Sequence, residues 1–233
     1  MTRVSGPKPP VVPPEDWKGR SRFWYGMARL LVTLIVRSGF LRVRVFGEEH
    51  VPESGPVLLM ANHESNLDPV LIAWSIARPI HIPGKIELFR VRFLGWLLFQ
   101  LGSFPVDRET RDAGSLRKSM QALRNSRVLV VFPEGTRTRT GKIGHFDRTL
   151  TRVAARERST IVPVAVIGTG RVLPPGARFP RPGATVDVRF GEPLNLDAPL
   201  DGKLSPSEVE AKSELIRSKV IELIGADAAE DSL

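Results

Sequence analysis

Val57-Leu-Leu-Met60 runs directly into Ala61-Asn62-His63-Glu64-Ser65-Asn66-Leu67-Asp68-Pro69, and a second apolar run follows from Val70 to Ala77. An apolar run without polar alternation reads as a strand buried on both faces, and the run that opens on Asp-Pro reads as a helix. The polar segment between them is then the loop from a buried strand to a helix. In an α/β fold such a loop sits at the carboxyl end of a strand, where these folds bind ligands.

Asp68 has two readings. Before Pro69 it makes a good helix start, because its carboxylate can accept a first-turn N–H while proline at the first helical position leaves no N–H unpaired. His63 stands five residues earlier, and on a regular helix that offset turns the two side chains about 140° apart. They meet only if residues 62 to 67 form a bend. In that case a buried carboxylate accepting from one ring nitrogen fixes the tautomer and leaves the other nitrogen as a general base. The alternative is a hydrogen-bonded structural histidine.

At 233 residues, with 42% hydrophobic and 25% charged residues, the chain has the make-up of one globular domain with at most a small appendage. It has no cysteine, which excludes disulfides and thiolate metal sites. Its four histidines, His50, His63, His81 and His145, are irregularly spaced, so no metal site is expected. A net charge of +9 calls for an acidic partner. The arginines are scattered through apolar segments rather than gathered in an arm, and the single tyrosine with 7% aromatics supplies no base-stacking platform. Nucleic acid is therefore set aside in favour of an anionic membrane or a small phosphate.

Along the chain, residues 1–20 read as a disordered proline-rich arm. Residues 21–40 have the length of a spanning helix but carry Arg29 and Arg37 within it. A charge at mid-bilayer costs about 3 kcal/mol on insertion scales, so an interfacial amphipathic helix fits better. Phe23, Trp24 and Tyr25 would sit at headgroup level and the arginines would face anionic lipid; a helix that covers the domain's own core is the other reading. Leu41 to Phe46, Ile80 to Ile82, Val128 to Phe132, Ile161 to Ile167 and Thr185 to Phe190 read as strands, and Gly102 to Arg108 as a short strand or turn that delivers a cation, Pro163 placing its strand at an edge or its break at a strand end. Lys85 to Gly102 is a second apolar stretch, suited to line a ligand groove, dip into a bilayer surface or simply pack. Asp112 to Arg127 and Phe146 to Arg158 read as helices, and Ser205-Pro-Ser-Glu208 is a capping box that opens a helix to about Ile224. Residues 225–233 form an acidic tail, and 41–224 the α/β domain.

Pro133-Glu-Gly-Thr-Arg137 follows the Val128–Phe132 strand directly. Gly135 permits a tight turn with open N–H groups and Arg137 offers a two-pronged phosphate donor, although a turn with a solvated arginine is an equal reading. The P-loop spacing fails, because Lys142 is followed by Ile143, and no Gly-x-Ser-x-Gly elbow occurs.

Four segments in this order resemble the glycerolipid acyltransferases of the 1-acylglycerol-3-phosphate acyltransferase type. Asn62-His63-x4-Asp68 is similar to the family's histidine–aspartate motif, Gly102 to Arg108 to its second block, Phe132-Pro-Glu-Gly-Thr-Arg137 to its third, and Val162-Pro163-Val164 to its fourth. The resemblance covers roughly residues 40 to 195. It implies an α/β fold with a mixed central sheet flanked by helices, and His63 near an apolar groove. By the same resemblance His63 takes the proton of an acceptor hydroxyl that attacks an acyl thioester, Asp68 supports the imidazolium, and Arg108, Glu134, Gly135, Thr136 and Arg137 hold the glycerol phosphate. Where family members commonly show lysine or arginine followed by glycine, this chain has Phe146-Asp147-Arg148-Thr149.

The expected reaction is transfer of a fatty acyl group from acyl-CoA or acyl carrier protein to 1-acylglycerol 3-phosphate, giving phosphatidate, with no resident cofactor. A glycerol 3-phosphate or other lysophospholipid acceptor, or a non-catalytic lipid-binding module, are the alternatives. The expected location is the cytoplasmic face of the cell membrane, held peripherally or monotopically.

Overall fold

Val57–Ala61 is a central strand, and all five of its residues are buried. It belongs to a computed structural model that describes residues 22–107, 113–137, 143–177, 179–197, 199 and 203–225. In chain order the strands are β1 Arg42–Phe46, β2 Val57–Ala61, β3 Ile80–Lys85, β4 Ser103–Val106, β5 Val128–Val131, β6 Thr160–Ile167 and β7 Thr185–Phe190. The helices are α1 Arg22–Arg37, α2 Asp68–Ser75, α3 Ile86–Arg90, α4 Arg92–Gln100, α5 Ala113–Arg124, α6 Arg148–Arg156, α7 Thr169–Val172 and α8 Pro206–Gly225. The sheet order is β1-β7-β6-β2-β5-β3-β4. Its pairings are parallel except β6 with β7, so β1 and β7 run against the other five and the sheet is mixed, as expected.

Helices on both faces explain why the central strands read as unbroken apolar runs. Val57, Leu59 and Ala61 of β2 point to the side where Leu71 and Ile72 of α2 pack. Leu58 and Met60 point to the other, with Leu123 of α5, Val153 of α6 and Ile216 of α8. β5 repeats the division, with Val128 and Val130 on the first side and Leu129 and Val131 on the second. The capping box forms as written: Ser205 N donates to Glu208 Oε2 at 2.7 Å and Glu208 N to Ser205 Oγ at 3.3 Å.

Three expectations are corrected. Pro163 lies inside a central strand, not at an edge or a strand end, between β2 and β7. Its carbonyl accepts from Gly191 N at 2.8 Å, one residue beyond the end of β7, so its missing N–H falls where the antiparallel ladder is already ending. Arg29 does not face lipid, because its guanidinium donates to the carbonyls of Ala73 and Ile76 at 2.9 and 2.5 Å. A cation there complements the carboxyl end of α2 and ties α1 to it. Tyr25 is buried, with its hydroxyl toward Ala73 O at 3.4 Å, which leaves Phe23 as the exposed member of that aromatic trio. The proline-rich arm, the start of the helix read from Asp112, and residues 226–233 of the acidic tail lie outside the described residues.

Candidate active site

The bend that the sequence required between residues 62 and 67 is present, and Asp68 is its centre. The carboxylate does not cap its own helix. It turns back, and Oδ2 accepts from Glu64 N at 2.7 Å and Ser65 N at 2.9 Å while lying 2.7 Å from His63 Nδ1. Its Oδ1 accepts from Thr169 Oγ1 at 2.5 Å. Asp68 is wholly buried and the His63 side chain is 10% exposed. With the carboxylate ionised, Nδ1 is the donor and Nε2 keeps its lone pair for chemistry. The ring stacks on Phe132 with centroids 4.1 Å apart, so its plane is set by a hydrogen bond on one edge and an aromatic face beneath.

The loop is also fastened to the end of β6. The Asn62 amide exchanges two hydrogen bonds with Val166, at 2.8 and 2.7 Å, and Ser65 Oγ donates to Leu173 O at 2.8 Å.

At the end of β5, Gly135 takes φ 70°, a value open to glycine, and its N–H closes the turn onto Phe132 O at 3.0 Å. Glu134 is turned toward the backbone: Oε1 accepts from His63 N at 3.2 Å and Oε2 from Gly144 N at 3.0 Å. It therefore joins the histidine loop to the segment after the turn. Gly135, Thr136 and Arg137 line the same cavity as His63. Arg108 lies outside the described residues. Asp147 caps α6, accepting from Thr149 N at 2.8 Å, which gives the acid at this position a structural role.

The cavity has a volume of about 780 Å³, and its wall combines two chemical characters. His63, Lys85, Thr136 and Arg137 supply polar and cationic groups. Much of the remaining wall is apolar, built from Ala28 and Val32 of α1, Val70 and Trp74 of α2, Leu88 of α3, and Leu94 and Leu98 of α4. Arg29 also reaches this wall, with its charge already directed at helix carbonyls. The shape suits an amphiphile with an anionic head and an aliphatic tail.

Two residues that carry the site were not read from the sequence. Glu64 Oε2 accepts from Gly168 N at 3.1 Å and Gly170 N at 3.2 Å, and lies 3.4 Å from Thr169 Oγ1. Burial pushes its carboxyl above the usual range and the nearby Asp68 charge adds to this, against the hydrogen bonds from Gly170, Gly168 and Thr169. Thr169 meets this loop from about a hundred positions downstream, a distance across which spacing gives no signal. Among the described residues no group of three or more metal-binding side chains comes together.

The family described as Acyltransferase matches residues 42–167, more than half of the chain. The chain is 28% identical over 202 residues to a 1-acyl-sn-glycerol-3-phosphate acyltransferase of Borreliella burgdorferi, covering 86% of this chain and 78% of that protein. It is 28% identical over 179 residues to a chloroplastic 1-acyl-sn-glycerol-3-phosphate acyltransferase of Arabidopsis thaliana, covering 76% of this chain and 50% of that one. It thus spans about half the length of the chloroplastic relatives. The crystal structure of the 1-acyl-sn-glycerophosphate acyltransferase PlsC from Thermotoga maritima superposes with a TM-score of 0.66 at 26% identity, covering 85% of this chain and 79% of that one.

Proposed function

The chain belongs to the acyltransferase family, and from that premise we propose that it moves a fatty acyl group from a thioester, carried by CoA or acyl carrier protein, to the free hydroxyl of 1-acylglycerol 3-phosphate. The observation that carries this reading is a buried His63–Asp68 pair whose histidine lines a mostly apolar cavity, with Arg137 on the same wall.

In the proposed reaction His63 Nε2 takes the proton of the acceptor hydroxyl as its oxygen attacks the thioester carbonyl. The C–O bond forms, the tetrahedral intermediate expels the thiolate, and the imidazolium returns the proton to sulfur. Asp68 stabilises the imidazolium and keeps its ring in one tautomer. No acyl-enzyme is formed. Arg137, with Gly135 and Thr136 beside it, pairs with the phosphate through charge-assisted hydrogen bonds. Arg108 is assigned to the same phosphate by its motif. Glu134 contributes by holding the backbone of His63 and Gly144 rather than by meeting an anion, which it would repel.

The membrane partner is an anionic bilayer surface. α1 exposes Phe23, Leu30, Leu31 and Leu34, and the α3–α4 hairpin exposes Val91, Phe93 and Trp96. Trp24 and Trp96 join the two at a ring separation of 5.1 Å. No described helix is long and apolar enough to cross a membrane. These faces suit an element that lies in the headgroup region and delivers lipid sideways into the cavity.

Thioester consumption by purified protein, with palmitoyl-CoA or palmitoyl carrier protein as donor, tests the assignment. Turnover is expected with lysophosphatidate, and His63→Ala should lower it by about 10³-fold or more with the fold intact. A preference for glycerol 3-phosphate would move the acceptor, and silence of the wild type with every donor and acceptor would overturn the reading.

A further inference from the structure

We propose that Thr169 is a positioning residue of this site: its buried hydroxyl holds Asp68 Oδ1 so that Oδ2 stays aimed at His63 Nδ1. The proposal rests on His63 acting as the base in acyl transfer, and it deepens that reading.

The two oxygens of Asp68 have divided tasks. Oδ2 takes the imidazole and two loop N–H groups, all between 2.7 and 2.9 Å. Oδ1 takes Thr169 Oγ1 at 2.5 Å. A carboxylate turns easily about its last side-chain bond, because that torsion is broad. The Thr169 hydroxyl on the Oδ1 side resists the partial rotations that would carry Oδ2 out of line with the ring nitrogen.

Thr169 is itself fixed. It is 0% exposed and opens the short helix α7 directly after Gly168. Gly168 has φ 91°, and a side chain there would bring its first carbon to 2.6 Å from Thr185 O, so only glycine allows the turn. Glu64 closes the turn from the other side by accepting the N–H groups of Gly168 and Gly170. The threonine proton therefore has two carboxylates within reach, at 2.5 Å on Asp68 and 3.4 Å on Glu64, and the shorter contact takes it. Glu64 holds the turn, and the turn presents the hydroxyl.

Because the donor is neutral, it stabilises the Asp68 charge without cancelling it. Removing it leaves a more basic carboxylate and a more strongly held imidazolium, so the acid limb of kcat/KM should move to higher pH. The other charged groups around His63 are Glu64 on its own loop, Glu134 and Arg137 on the turn after β5, and Arg29 of α1 and Lys85 at the end of β3 on the same cavity wall; none of them changes when Thr169 is replaced.

The test compares Thr169→Val, which keeps shape and removes the donor, with Thr169→Ser, which keeps the donor. For Thr169→Val we expect kcat about 10- to 100-fold lower, as for other groups that orient a functional histidine, with KM for both substrates nearly unchanged and the acid limb shifted upward. Thr169→Ser should restore both. Wild-type kcat and an unmoved limb in Thr169→Val would overturn the proposal, as would a serine variant as slow as the valine one. A readout without substrate separates this from the acyltransferase reading: the downfield proton resonance of His63 Nδ1–H, expected in the wild type and Thr169→Ser and broadened in Thr169→Val. If that pattern appears in a protein that transfers no acyl group, the positioning stands and the reaction is wrong. If the resonance is the same in all three, the positioning is wrong whatever the enzyme does.

Discussion

Asp68, at the start of α2, and Asp187, on β7, are both buried aspartates, and they are held in opposite ways. Asp187, on β7, meets two cations: Arg44 from the edge strand β1 binds both its oxygens at 2.7 Å, and Arg189 donates to Oδ2 at 2.9 Å. Both guanidinium groups lie over the ring of Phe46, at 5.8 and 5.4 Å. Asp68 meets neutral donors, two backbone N–H groups and a hydroxyl, together with one imidazole. A carboxylate cancelled by arginines has no charge to spare and locks strands together. A carboxylate held by neutral dipoles keeps its charge, and the imidazole is the group able to gain from it. The partners of a buried acid thus separate a joint from a site.

The strongest way to break this comparison is to remove each charge in place. Asp68→Asn should lower kcat by about 10³- to 10⁴-fold, because the neutral amide does not stabilise an imidazolium. Thermal stability should change little, since the amide oxygen still accepts the loop N–H groups. An Asp68→Asn enzyme of near-normal rate would end the distinction.

Asp187→Asn should do the reverse, and by less. Breaking a buried ion pair from one side leaves an uncompensated charge, here Arg189 with a side chain 8% exposed. The cost should be about 3 kcal/mol, at the low end of the range because Arg44 is half in solvent, while kcat per folded molecule stays at the wild-type value. Burial pushes the Asp187 carboxyl up, but the hydrogen bonds and charges of Arg44 and Arg189 outweigh it and hold it below the ordinary 3.8. Its contribution is therefore present above pH 3.8 and lost as pH falls through the lower folded value. Denaturation midpoints followed below pH 4 should show that loss in the wild type and not in Asp187→Asn.

The sequence made one of these two acids visible and hid the other. His63 and Asp68 were legible because five residues separate them and the flanking apolar runs demanded a loop. Asp187 sits in Thr185–Phe190, an ordinary alternating strand, and Arg44 stands far earlier in the chain, so no local pattern pairs them. Thr169 and Glu64 were missed for the same reason. Strands β2, β5 and β6 were readable from their apolar runs and β7 from its alternation, whereas Pro163 was misplaced because the rule that confines proline to edges counts ladder bonds, and this ladder ends one residue away. Arg29 was misread toward lipid because composition cannot show that the carboxyl end of α2 lies within its reach.

The smallest effect belongs to Glu64, and it sharpens the comparison because Glu64 lies between the two cases. It is partly buried and accepts neutral N–H groups as Asp68 does, yet it has no imidazole to support. Burial first, and the Asp68 charge with it, raise its carboxyl above the ordinary 4.5. A carboxyl raised in the folded state contributes stability that is fully present below pH 4.5 and lost as pH rises through the folded value. The wild type therefore gives up this stability as Glu64 ionises. Glu64→Gln keeps an oxygen for Gly168 and Gly170 and removes that charge, so its melting temperature at pH 7 should exceed the wild type's by no more than a few degrees. The advantage should shrink as pH falls toward 4.5. A melting temperature below the wild type's at pH 7 would mean that Glu64 needs its charge to hold the Gly168–Gly170 turn, which would place it with Asp68 as an acid whose charge is put to use.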